Sequence, residues 1–206
     1  MLYSAAHAFI KAKTNLWLLN LNRHYGIALW FATRVGSISQ IKTGKKVTAL
    51  DVIELFAGTR PDGTPVVERL QVRGLEDESL QLVKSPAFIQ GIASGDVIKL
   101  NREDQSFELL KRAGNLCIRV FAKNDIEQLA QDLTPILEKM GGELDFENER
   151  MLVYTIHVSC GFAATEQQLN DHVGEDSDSI WFYGNVYDPK DGQTPLNWWQ
   201  EILAPQ

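Results

Sequence analysis

Cysteine is scarce in this chain. Cys117 and Cys160 are the only two among 206 residues, too few for a disulfide framework or a thiolate-rich zinc centre. HExxH, CxxC, GxSxG and the dinucleotide-binding glycine pattern are all missing. Their absence removes the motif-borne signs of zincin, thiol-redox, serine-hydrolase and Rossmann chemistry. The apolar stretches near the start do not reach the roughly 20 residues of a membrane span. Trp17-Leu18-Leu19 is broken by Asn20, Asn22, Arg23 and His24 before Leu29-Trp30-Phe31. No internal repeat or low-complexity tract stands out.

Acidic residues are absent from the first fifty positions, which hold seven bases: Lys11, Lys13, Arg23, Arg34, Lys42, Lys45 and Lys46. The first acid is Asp51, and the 27 acids from there on outnumber the remaining bases by fourteen, so the net charge of −7 hides a strongly acidic body. Such a body repels nucleic-acid phosphates and anionic lipid, which argues against a nucleic-acid partner. Residues 1–46 are read separately. Their basic, acid-free character fits an organelle transit peptide or an amphipathic membrane-surface helix. It fits equally a stretch that is not native protein and precedes a true start at Val47, and that is the reading taken here. A membrane contact is expected only through this segment.

What is present is ordinary globular material: 44% apolar, 23% charged and 9% aromatic residues, which excludes a disordered or fibrous chain. Two thiols in a chain of this size fit a reducing, cytoplasmic compartment. Alternation predicts strands over 47–56, 66–72, 79–83, 97–100 and around Phe107 and Leu109. Arg60-Pro61-Asp62-Gly63-Thr64-Pro65 is a turn in which Pro sets φ and Gly takes the positive φ. In the second strand, Val67 and Glu68 fall on opposite faces. From residue 116 the rhythm changes. A strand over 116–121 precedes a helix capped by Asn124, with Ile126, Leu129, Ala130, Leu133, Ile136, Leu137 and Met140 at helical spacing. Pro135 should kink it or restart it, and Gly141-Gly142 stops it. Strands over 143–146 and 151–158, a helix capped by Thr165 and a strand over 180–186 complete the order strand, helix, strand, strand, helix, strand. The expected fold is therefore α+β: a small antiparallel β-rich partial barrel over 47–115, then a ferredoxin-like βαββαβ module over 116–190 and a tail over 191–206.

Several residues together resemble a known family. They are the strand Val52 to Phe56, the Pro86-x-Phe88 run leading to Gly91-Ile92-Ala93-Ser94-Gly95-Asp96-Val97-Ile98, the strand bearing Arg119-Val120, and the helix ending in Gly141-Gly142 before Glu143. In these, over about residues 47–170, the chain resembles an uncharacterised bacterial family catalogued only as a domain of unknown function. The resemblance implies a compact, cytosolic, bacterial protein and brings no activity, cofactor or catalytic residue. His157-Val158-Ser159-Cys160 departs from it, where more apolar or proline-bearing residues are expected.

Four groups of residues are candidates for chemistry. Cys160 at a helix start, with His157 three residues before it, is a nucleophile-and-base arrangement if the side chains meet. The alternative is a buried thiol and a strand histidine. Gly91 to Asp96 is either a backbone cradle for phosphate or a turn demanding positive φ, and no P-loop lysine accompanies it. Glu175, Asp176 and Asp178, near Asp171 and His172, suggest calcium but lack the EF-hand glycine and closing glutamate, which favours a solvated loop. Trp181, Phe182, Tyr183, Tyr187, Trp198 and Trp199 form an aromatic set. Of these, Trp198-Trp199 is either a latch on the core or an interaction surface. No cofactor or metal is expected. The reading taken is a non-enzymatic module that binds a protein or small molecule. The alternative is a cysteine-dependent enzyme or thiol sensor using Cys160.

Overall fold

A computed structural model describes residues 50–174 and 178–204. The expectations for residues 1–46, for the first strand's start at 47–49, and for Glu175 and Asp176 lie outside the described residues. By contacts the chain divides into two units. All described residues except the hairpin tip Thr59–Pro65 belong to the larger, Lys46–Gly58 with Val66–Gln206. In the tip, Arg60 and Gly63 N–H groups donate to Thr64 O and Arg60 O, and Asp62 Oδ1 accepts from Thr64 N–H, the turn its sequence predicts.

The described chain is an α+β arrangement of two mainly antiparallel sheets with few helices. The first sheet is a meander of β1 (Leu50–Thr59), β2 (Pro65–Gly74), β3 (Leu80–Leu82), β4 (Val97–Asn101) and β5 (Ser106–Lys111), in that spatial order. It curls, because Phe56 N–H on β1 donates to Gln105 O in the β4–β5 turn at 3.2 Å. Ile53, Leu55, Leu70, Val72, Leu82 and Ile98 meet on its inner face.

The second sheet holds β6 (Asn115–Ala122), β7 (Glu143–Asn148), β8 (Met151–His157) and β9 (Ser179–Tyr183), in the spatial order β7-β8-β6-β9 with every neighbouring pair antiparallel. Helices α1 (Ile126–Lys139) and α2 (Phe162–His172) pack on one face of this sheet. Leu133, Leu137 and Leu169 are buried there with Leu116, Ile118, Val120, Leu152, Tyr154 and Ile156. Alternation explains the split, since odd residues of β6 turn the other way.

Four local expectations are corrected. Asp125, not Asn124, occupies the position before α1, with φ 55° and no side-chain cap bond; short polar residues tolerate that left-handed conformation. Pro135 does not restart α1, which runs unbroken over Ile126–Lys139, because Pro135 and Gln131, whose carbonyl loses its partner, both face solvent, where water satisfies the freed oxygen. Thr165 is inside α2 rather than at its start. Its buried hydroxyl donates to Gly161 O at 3.0 Å, one turn back, a bond that competes with capping geometry. α2 instead follows a 3₁₀ turn, Val158–Cys160. The last strand stops at Tyr183 rather than 186, because Gly184 and Asn185 turn to bond β6.

A short helix α3 (Trp199–Leu203) closes the described chain. Trp198 Nε1–H donates to Asn185 O at 2.8 Å. Edge-to-face contacts run from Trp198 to Trp199, Phe162, Tyr183 and Trp181, joining the tail to the sheet. Replacing Trp198 by Ala should lower unfolding free energy by about 2–4 kcal/mol in urea titration, somewhat below the cost for a fully buried Trp. An unchanged midpoint would show that the tail does not hold the core.

Candidate functional site

The segment between β3 and β4, residues 83–96, has no regular structure apart from turns, yet half of its residues are buried. Buried irregular backbone must find a partner for each N–H and C=O. Here side chains supply them. Glu68, on the inward face of β2, accepts N–H bonds from Ala87, Phe88 and Ile89. Arg119 of β6, 2% exposed, donates to Pro86 O, Phe88 O and Ile89 O. The peptide unit joining Pro86 to Ala87 therefore gives its C=O to Arg119 and its N–H to Glu68. The unit joining Phe88 to Ile89 does the same. Two peptide groups lie between a carboxylate and a guanidinium with their dipoles along the field, an arrangement that strengthens each bond.

Three further contacts fasten this segment. A bulge between Leu144 and Phe146 leaves Asp145 unpaired in the β7–β8 ladder and re-aims its side chain. Its carboxylate accepts from Ser85 N–H and Thr155 Oγ1–H, and Ser85 Oγ also meets Thr155 Oγ1. Burial pushes the Asp145 carboxyl up, against those bonds. Asp96, 1% exposed, accepts from Ala93 and Ala113 N–H groups and pairs with Arg112 at 3.7 Å. Burial raises its carboxyl to about 6, while the two N–H bonds and the Arg112 charge pull the other way. Finally, Asn185, fully buried, accepts from Cys117 N–H and donates to Asn115 O, standing in for a strand neighbour.

The Gly91–Asp96 stretch is consequently a turn filled from within. Gly91 N–H donates to Gly184 O, Gly95 N–H to Leu82 O, Ala93 N–H to Asp96 and Ser94 N–H to Ser85 Oγ. A phosphate would find those four donors engaged. Gly95 has φ 82°, and a Cβ there would sit 2.7 Å from Ala113 Cβ, so this turn requires glycine.

His157 and Cys160 are committed to different partners. His157 Nδ1 accepts from Ser159 N–H and meets Ser159 Oγ at 2.7 Å, capping the 3₁₀ turn. Cys160 Sγ–H donates to Met140 O at 3.0 Å. The other thiol, Cys117, is fully buried, and burial pushes it up, so it is a poor nucleophile. Both thiols are free. Asp178 pairs with Lys123 at 2.9 Å, and His172 Nδ1 bonds Gln168 O within α2. Among the described residues no three His, Cys, Asp or Glu side chains gather as a metal-ligand set. Trp198 and Trp199 are half-buried against the helix-side core, and Arg112 stacks 5.0 Å over the Trp198 ring.

Sequence reasoning missed Glu68 and Arg119, whose partners lie about 20 and 30 residues away in the chain. The signal available was a charged residue inside an otherwise apolar strand run. It missed as well the outer face of the β1–β2 hairpin. Leu50, Val52, Phe56 and Val67 are 54%, 46%, 48% and 40% exposed there, flanking the ion pair of Glu54 with Arg69. A cavity of about 400 Å³ at the start of α1 is lined by Asp125, Ile126, Glu127, Gln128, Gln131 and Glu149. It is polar and acidic, unlike the mostly apolar pockets that hold small ligands.

A buried polar clasp joining a curled β-meander to an antiparallel sheet with helices on one face defines a small α+β protein with no assembled catalytic group among the described residues. The chain belongs to the family described as Domain of unknown function (DUF4265), whose model matches residues 68–180. The match spans β2 through the start of β9 and so contains Glu68, Arg119 and the segment they hold. Among curated proteins none matches the chain. The chain is similar to a hypothetical protein from Neisseria gonorrhoeae with a crystal structure. The identity is 17% and the TM-score 0.54, over 66% of this chain and 94% of that one, a likeness of fold alone. No helix among the described residues is long and apolar enough to cross a membrane.

Two measurements test the clasp. Arg119→Met should cost at least about 3 kcal/mol, because it strands the buried Pro86, Phe88 and Ile89 carbonyls and leaves Glu68 without its counter-charge. A cost under about 1 kcal/mol would mean that water replaces the guanidinium. For Asp96 the sign follows from its raised carboxyl. Between the ordinary 3.8 and about 6 the folded state keeps a proton that the unfolded chain has lost. Stability from this group therefore grows as pH falls through 6 and is fully present below about 4. Asp96→Asn removes that slope. The gap in unfolding free energy between wild type and variant should widen by about 2 kcal/mol from pH 7.5 to pH 4.5, and a constant gap would contradict the assignment.

Proposed function

We propose that this chain is a non-enzymatic, cytoplasmic protein-binding module, and that a partner docks on the outer face of the β1–β2 hairpin. The observation that carries the reading is that face. Four large apolar side chains are exposed there on two adjacent strands, the kind of contiguous surface that marks an interaction site on a soluble protein. A second consideration supports it. Glu68, Arg119, Asp145 and Asp96 are spent on holding residues 85–96, His157 and Cys160 are bonded to Ser159 and Met140, and among the described residues no buried side-chain N or O lacks a partner. The two free thiols favour a reducing compartment.

The second sheet is read as a ferredoxin-like layer. The element order β6-α1-β7-β8-α2-β9 and the spatial order β7-β8-β6-β9 support this, since they are those of a split βαβ pair. In that reading one sheet face takes the helices and the other takes the segment held by Arg119. Neither is left open for a ligand, and this directs attention to the first sheet.

A photo-reactive residue at Val52 or Val67, in cells that make the protein, should form a protein crosslink. The same residue at Glu138, on the solvent face of α1, should not. Crosslinking from neither Val52 nor Val67 would overturn the docking face. Substrate turnover abolished by Cys160→Ser would replace the binding reading with the thiol-enzyme one.

A further inference from the structure

We infer that the partner on this face is a second copy of this chain, in an isologous contact about a two-fold axis; the inference rests on the docking-face reading above. Charge layout carries it. Glu54 Oε1 and Arg69 Nε lie 3.8 Å apart on the exposed face, with side chains 49% and 55% exposed. One acid and one base, side by side on one patch, are self-complementary. A two-fold axis between two copies sets Glu54 of each against Arg69 of the other, so both pairs form at once. The outward-facing apolar residues Leu50, Val52, Phe56 and Val67 flank that pair and supply the area that a rim of charge alone would not.

The wider charge distribution points the same way. From Asp51 onward the acids outnumber the bases by fourteen, so two copies repel each other over most of their surface. The β1–β2 outer strip is an exception. On its outward positions Glu54 stands with Arg69 and Arg73, so the strip lacks the acid excess of the rest. It joins relief from that repulsion to exposed apolar side chains, the combination that lets like molecules associate. A basic or acidic foreign partner would call for a patch of one sign.

The test is sedimentation velocity on the full chain with a pair of charge reversals. Glu54→Arg leaves two bases at the contact, and Arg69→Glu leaves two acids. Both positions are exposed, so far-UV circular dichroism should stay unchanged, as should the unfolding midpoint at dilutions where the wild type is dissociated. The wild type should sediment as a dimer. Each variant alone should associate roughly tenfold or more weakly, because like charges face each other. An equimolar mixture of the two variants should recover the dimer, because every Arg then meets a Glu. A wild type that stays monomeric across the concentration range, or a dimer indifferent to both reversals, overturns the inference. A monomeric wild type that still crosslinks from Val67 to a different protein removes the second copy and leaves the docking face. Monomer and no crosslink remove both.

Discussion

Two peptide units between Pro86 and Ile89 are held in a field between Glu68 and Arg119, and the rest of the structure depends on that grip. A buried guanidinium or carboxylate costs several kcal/mol unless paired. Here each charge is compensated by the other through the peptide groups between them, not by direct contact. The peptide groups in turn have no sheet or helix of their own. Neither the loop backbone nor the Arg119 guanidinium could be buried without the half-buried Glu68 carboxylate beside them. This one arrangement fixes where β2 of the first sheet stands against β6 of the second. It explains also why the link between the sheets is an irregular segment and not a strand.

The other fastenings repeat the same physics. Asp145, Asp96 and Asn185 each bring a side-chain oxygen to backbone N–H groups that a turn or strand end leaves unpaired. The Gly91–Asp96 turn resembles an anion cradle in sequence because it has the same need, N–H groups converging without backbone acceptors. Asp96 is the anion that meets the need. Gly184 shows how closely the parts fit. A Cβ there would lie 2.7 Å from Cys117 Sγ and 3.0 Å from the Arg119 guanidinium, so the strand end approaches β6 only without a side chain.

The sequence makes legible what depends on near neighbours. Period-two alternation places the strands, and helical spacing of Ile126, Leu133 and Leu137 places α1. The Pro-Asp-Gly turn and the Gly141 stop follow from local φ preferences. Asn124 and Thr165 read as caps because an amide or hydroxyl near a helix start can serve as one, whereas the chain enters each helix through a positive φ at another residue, 55° at Asp125 and 86° at Gly161. Glu68 and Arg119 were not legible at all. Their roles exist only once residues distant in the chain are adjacent, and no local pattern encodes that. For the same reason His157 and Cys160, close in sequence, proved to have separate partners. A strand end followed by a tight turn swings neighbouring side chains apart.

The orientation of β2 leads to the exposed face. Alternation places Val67 and Glu68 on opposite sides, and hydropathy alone would turn the valine inward. The structure turns the glutamate inward, because three backbone N–H groups on a carboxylate outweigh one buried valine: charge-assisted bonds are worth about 1.5–3 kcal/mol each, against about 1.5–3 kcal/mol for the whole side chain. Register then leaves no choice, since slipping β2 by one residue would bury Val67 only by pulling Glu68 off the loop. The clasp thus dictates that positions 67 and 69 face out, but it does not dictate that they or their β1 neighbours be apolar. Strand propensity accounts for a valine at an exposed position; it does not require that a leucine, a second valine and a phenylalanine join it on the adjacent strand. An orientation imposed from within, with a composition that strand propensity does not require, is what the proposed docking of a second copy accounts for.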